Sequence, residues 1–192
     1  MYVVWPDCRF RTGCSANDLV LSTSTDGLTW SAVKRVPIDP VASGVDHFVP
    51  GLGVDRRSAG RSARLGLTYY FYPDAACTTA TCELDVGFVS STDGGATWTR
   101  PTKLAGPMRL TWLPLTTQGY MFGDYISTSI VPRSRRAIPV IEIARAPSGS
   151  LLHVDTFAAS VRLRHGHAAA EQAGSRAAAG AKSRVPGTAR SM

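Results

Sequence analysis

Much of what this sequence does not contain is informative. No 3.6-residue hydrophobic period is sustained before the last thirty or so residues, which argues against helices over most of the chain. No apolar run reaches the roughly 20 residues a bilayer-spanning helix needs, and no leader segment is visible, although a truncated start would have removed one. Histidine is scarce, at four in 192 residues, and none lies near a cysteine. Acidic residues are outnumbered, 14 to 21, for a net charge of +7 that invites a nucleic-acid reading. The distribution removes that reading. From residue 161 onward Arg162, Arg164, Arg176, Lys182, Arg184 and Arg190 face only Glu171, which puts +5 in the tail and leaves +2 for the first 160 residues. Residues 158–192 have no aromatics, are rich in alanine, glycine, serine and arginine, and are expected to be disordered or weakly helical. So abrupt a loss of pattern also suggests a frameshift in GC-rich DNA.

What is present is strand and turn, repeated. Ser24-Thr25-Asp26-Gly27-Leu28-Thr29-Trp30 is answered by Ser91-Thr92-Asp93-Gly94-Gly95-Ala96-Thr97-Trp98, the same order of serine, aspartate, glycine, threonine and tryptophan with one residue added. Each reads as a hairpin: glycine supplies a positive φ, the carboxylate accepts backbone N–H groups across the turn, and the indole folds back on the sheet. The hairpins sit inside a longer repeat, since Tyr2 and Tyr69, Asp18 and Asp85, and Asp26 and Asp93 are each about 67 residues apart by subtraction. Strands are expected over 2–6, 18–23 and 31–36, then 47–54, 65–72, 84–90 and 99–104, then 122–131, 137–143 and 151–157, in units of about 1–40, 41–106 and 107–157.

The four cysteines form two local pairs at matched places in the repeat, Cys8 with Cys14 and Cys77 with Cys82. Matched even pairs favour two small-loop disulfides and an oxidising compartment over zinc, whose usual spacings these are not.

The doubled motif Ser-x-Asp-(x)-Gly-x-Thr-Trp, carried by Ser24, Asp26, Gly27, Thr29 and Trp30 and by Ser91, Asp93, Gly95, Thr97 and Trp98, resembles the Asp-box, or bacterial neuraminidase repeat, of sialidase-like β-propellers. The resemblance spans roughly residues 1–157 and implies an all-β fold: a partial β-propeller of about three blades, half of a six-bladed ring, followed by the tail. It implies a secreted protein that acts on or binds a glycan or glycoconjugate; from the residues themselves no cofactor, no metal-ligand set, no nucleic-acid partner and no membrane span is expected, and structural calcium stays open. The family's Arg-Ile-Pro motif is missing, because Arg136-Ala137-Ile138-Pro139 falls late in the chain and reads as an ordinary second strand.

Antiparallel order sorts the loops onto two rims. The Asp-boxes are third-to-fourth turns and share one rim with the first-to-second turns; the cysteine loops and the crossovers share the other. On that second rim the residue types of a sialidase-like site recur. Arg9, Arg11 and Arg145 are candidates to fork a substrate carboxylate, Tyr125 with Glu142 a nucleophile pair, Asp46 an acid/base, and His47 and Asp124 substrate contacts. Each has a structural rival. The loop arginines can be merely solvated, Asp46 can anchor the crossover turn, Asp124 can cap a strand start, and Glu142 can face solvent. Trp5, Trp30 and Trp98 read as packing residues, and Trp112 is the better sugar platform. Two functions stay open, a sialidase-type glycoside hydrolase and a non-catalytic propeller that binds glycan or protein.

Overall fold

The computed structural model describes residues 1–167, and over them the chain is all β, in three larger antiparallel sheets and one small one, none of them closed. Sheet 1 orders β1 (Tyr2–Asp7), β2 (Asp18–Thr23) and β3 (Lys34–Arg35). Sheet 2 orders β4 (Asp46–Val54), β5 (Leu65–Tyr72), β6 (Glu83–Ser91) and β7 (Thr102–Arg109). A two-stranded ribbon of β8 (Leu115–Thr116) and β9 (Gly119–Tyr120) leads to sheet 3, with β10 (Ser127–Val131), β11 (Arg136–Ser148), β12 (Leu151–Ala158) and β13 (Val161–Arg162). β12 and β13 both pair with β11, Val140 opposite Ala158 and Ala137 opposite Val161, so they form one interrupted strand along the same edge. No helix among the described residues is long and apolar enough to cross a membrane.

Strand residues follow the composition. β5 reads Leu-Gly-Leu-Thr-Tyr-Tyr-Phe-Tyr and is buried on both faces over its first six residues, as expected of a central strand covered by a sheet on each side. One apolar cluster joins sheets 1 and 2, with Leu19, Leu21 and Val36 against Leu65, Leu67, Tyr69 and Trp98. A second joins sheets 2 and 3 through Tyr70, Val86, Met108, Ile141 and Ala144.

Glycine sets how closely sheets 2 and 3 approach. A Cβ on Gly53 would stand 2.5 Å from the Thr128 carbonyl oxygen, and one on Gly51 would stand 2.9 Å from that of Ile126. Into this notch Thr128 sends its hydroxyl, donating to the Gly51 carbonyl at 2.8 Å and lying 2.7 Å from the Thr68 hydroxyl.

Several expected boundaries move. The outer strand of sheet 1 contracts from 31–36 to Lys34–Arg35, and that of sheet 2 starts at Thr102, beyond Pro101, which has no N–H to give a ladder. Sheet 3 starts at Ser127 rather than 122, because Gly123 turns at φ 141° and the chain there runs exposed. The tail also begins later than 158. Val161–Arg162 pairs with β11, Leu163 is buried, and His167 bridges to Trp98. The remainder of the expected tail lies outside the described residues.

Candidate functional site

The two tryptophan hairpins are built alike. In the first, the Asp26 carboxylate accepts the backbone N–H groups of Leu28 and Thr29, both at 2.8 Å, and the Ser24 hydroxyl; Ser24 Oγ accepts the Gly27 N–H at 2.7 Å. In the second, Asp93 accepts the Thr97 N–H at 2.9 Å and its hydroxyl at 2.5 Å, while Ser91 Oγ accepts the Gly95 N–H at 2.9 Å. Gly27 and Gly94 take φ 80° and 74°, and Gly95 adds a second left-handed residue that accommodates the extra length. These donors hold the Asp26 carboxyl down at about 2. Burial pushes Asp93 up, but its hydrogen bonds from Thr97 and Ser91 outweigh that and hold it below the ordinary value.

Both hairpins line one open cleft of about 1250 Å³ between sheets 1 and 2, with Tyr2 and the 58–61 loop, so they share a rim. Their indoles differ. Trp98 is 1% exposed in the cluster that joins sheets 1 and 2, whereas Trp30 is 40% exposed along the open cleft.

The opposite rim carries the β1–β2 and β5–β6 loops and the crossovers. Disulfides Cys8–Cys14 and Cys77–Cys82 close the two loops, with Cα atoms 4.8 and 4.9 Å apart. The candidate residues on this rim separate into three groups.

The first is buried, apart from half-buried Asp46. Arg11 lies in a network: Nε and Nη2 grip Asp18 at 2.9 and 2.6 Å, Nη2 reaches Asp39 at 3.2 Å, and Nη1 donates to the carbonyls of Val41 and Ser43 at 2.9 and 2.7 Å. Arg35 bridges the same two aspartates at 2.7 Å each. Burial raises Asp18, but Arg35 and Arg11 outweigh it and keep the carboxyl below its ordinary value. Every polar arm of Arg11 therefore clasps the loop, the crossover and β2, and the expectation that it forks a substrate carboxylate is corrected. His47 is 1% exposed, packs at 5.5 Å from the Tyr69 ring and meets the Asn17 carbonyl through Nδ1 at 3.1 Å; burial pushes its pKa down. It is a core residue, not a substrate contact. Asp46 takes its structural alternative, accepting the Asn17 N–H at 2.7 Å and its side-chain amide at 2.9 Å, and so anchors the crossover.

Asp18, Asp39 and His47 bring ligand atoms within 4.8 Å of one another, which is metal-like spacing. Two guanidiniums already neutralise the carboxylates, and their charge repels a cation. The sequence signal for this cluster is the repeat itself. Asp18 and Asp85 are matched, and each takes a cation from its outer strand, Arg35 on β3 and Lys103 on β7 at 2.7 Å.

The second group is paired on the surface. Arg9 is bound to Asp7 at 2.7 Å and, through its side chain, holds that carboxyl at about 2. Arg145 pairs with Asp155 at 3.0 Å and lies 5.4 Å above the Phe157 ring.

The third group would be the nucleophile pair. Ser127 stands opposite Val140, and continuing that register would bring Tyr125 opposite Glu142. The pairing ends at Ser127, and Tyr125 stands 91% exposed beside exposed Asp124. Glu142 instead accepts the Thr156 hydroxyl at 2.7 Å, and the tyrosine at its backbone is Tyr70, which donates to its carbonyl at 2.9 Å and accepts its N–H at 3.0 Å. Burial pushes the Tyr70 phenol up to about 12, so it stays protonated. The Tyr125–Glu142 pair is not assembled.

What gathers instead at this rim is an aromatic group between sheets 2 and 3, half-buried around a buried Tyr70. Phe48 lies 4.7 Å from Tyr72, Tyr70 lies 5.9 Å from Phe122, and Trp112 and Tyr120 pack on the same cluster. Asp46, Asp124 and Tyr125 border it along the chain. Comparison of the chain with protein-family descriptions, characterised proteins and solved structures finds no match.

Proposed function

We propose that the three packed sheets are successive blades of an Asp-box β-propeller of the sialidase superfamily, secreted, with a cysteine-loop rim that binds glycan without hydrolysing it. The observation that carries the reading is the pair of matched tryptophan hairpins facing one cleft, which leaves both disulfide loops and the crossovers together on the other side. Half-buried rings beside exposed carboxylate and phenol groups suit a sugar, whose C–H faces pack on aromatics while its hydroxyls seek polar partners. Binding is favoured over hydrolysis by the arrangement around Glu142, whose carboxylate is taken by Thr156 while Tyr125 stands apart. Two disulfides are compatible with an extracellular location.

Titration with a sialylated oligosaccharide is expected to give binding that Tyr125→Ala and Asp124→Ala each weaken about 10-fold, the effect of losing roughly one good polar contact. Binding unchanged in both variants would remove the site. A fluorogenic sialoside is expected not to turn over; turnover abolished by Tyr125→Phe and Asp46→Asn would restore the hydrolase.

A further inference from the structure

The two rims differ in charge far more than the sequence suggests. Segments 24–31, 55–64, 92–100, 132–136 and 162–164 together carry ten arginines against Asp26, Asp55 and Asp93, whereas the cysteine-loop rim holds more acid than base. The three aspartates are already engaged, two within their own hairpins and Asp55 with Arg64 at 2.8 Å. Arg56, Arg57, Arg61, Arg100, Arg133 and Arg135 are all exposed and form no ion pair among the described residues.

These segments are also one surface. Gly94 donates to the Ala63 carbonyl at 3.0 Å, joining the second hairpin to the 55–64 loop. A Cβ on Gly66 would lie 3.2 Å from that of Ala137, which sets this loop beside the 132–136 turn. Thr92 and His165 are 2.9 Å apart, which brings in the last segment.

Two features of the arginines work against folding. Arg133 and Arg135 hold left-handed backbone at φ 67° and 52°, a conformation that is strained for a side-chain-bearing residue and that glycine or asparagine fills more readily. Arg136 stands directly opposite Arg162, a like-charge cross-strand pair that is itself destabilising. Positive charge is thus concentrated where backbone and neighbours both disfavour it.

We infer that this rim binds a sulfated polysaccharide, at a surface separate from the cysteine-loop rim. Guanidiniums match sulfate as a planar fork, and sites within a Debye length, about 8 Å at physiological salt, act on a polyanion together. A nucleic acid fits less well. Its single strands call for stacking platforms, and Trp30 is the one large exposed aromatic on this rim among the described residues.

The test uses the full chain and heparin as probe, with hyaluronan, which carries carboxylates without sulfates, and a DNA duplex of matched length beside it, all at 0.15 M salt. One variant set replaces Arg133 and Arg135 by Asn, a residue suited to left-handed backbone; another replaces Arg56, Arg57 and Arg61 by Glu. Arg109→Asn, on the opposite rim, is the control. Heparin affinity is expected to fall about 10-fold or more in each set and not in the control, with a shallower salt dependence, while the Asn pair unfolds no earlier than the parent. Unchanged affinity in both sets would place any binding in the Arg- and Lys-bearing tail and overturn the inference, as would tighter binding to DNA than to heparin. Earlier unfolding of the Asn pair with heparin affinity intact would make those arginines structural and overturn it too.

Discussion

Replacing Arg11 by Met would leave buried Asp18 and half-buried Asp39 beside a single guanidinium, and the loss of one partner from a buried ion network costs about 3–5 kcal/mol. Urea unfolding of Arg11→Met against the parent measures it; a change under 1 kcal/mol would show the network to be dispensable. His47 predicts a pH effect of definite sign. Burial lowers its pKa, with Asp39 and Asp18 opposing and Arg11 reinforcing, so the unfolded chain takes up the proton first. Stability is therefore full above pH 6.5 and declines as pH falls from there toward the folded value. His47→Phe is expected to flatten the unfolding midpoint between pH 7 and 5. The depressed carboxyls act lower. Asp26 titrates at about 2 in the fold against 3.8 ordinarily, so its contribution is complete above roughly pH 4 and is lost as pH falls through 2; Asp18 and Asp93 act in the same direction. At this scale the sequence exposed the residue types but not their environments. Arg11 looked like a loop arginine because Asp39, Val41 and Ser43 lie about thirty positions away, and nothing local announces that they close over it.

The hairpins and the sheet contacts belong to the scale of elements. Asp93→Ala removes three hydrogen bonds from a half-buried turn and is expected to cost about 1–2 kcal/mol, whereas Asp26→Ala, on a solvated turn beside exposed Trp30, costs less. Thermal unfolding of the two variants ranks them, and the reverse order would contradict the geometry. Gly53→Ala forces a methyl against the backbone of β10 and is expected to cost roughly 1–3 kcal/mol, with loss of the Thr128–Thr68 contact. Gly60→Ala offers the contrast, since its Cβ would meet nothing within 4 Å and only its positive φ is strained. The elements themselves were readable. Leu65–Tyr72 matches its expected bounds, and each hairpin joins the last two strands of its sheet, β2 to β3 and β6 to β7, because a turn is specified by a few contiguous residues. The outer strands were not, since an edge with one neighbour ends where the partner's ladder ends rather than where propensity fades.

For the molecule as a whole, the disulfides close loops of only a few residues, and in the chain-entropy account each stabilises by about 2 kcal/mol. Reduction under native conditions is expected to lower the unfolding midpoint without abolishing the far-ultraviolet strand signal; complete unfolding would mean that the sheets depend on the clasped loops. By itself the sequence determined the strand-rich units, their repeat, the two acidic hairpins and the cysteine pairing, all of which rest on interactions between residues close along the chain. Only the tertiary structure decided which charges are buried and which are free, that Tyr70 rather than Tyr125 meets Glu142, and that arginine collects on one rim. Those outcomes depend on Coulomb and packing energies between residues brought together by sheet stacking, and a net charge summed along a chain is blind to where folding puts it.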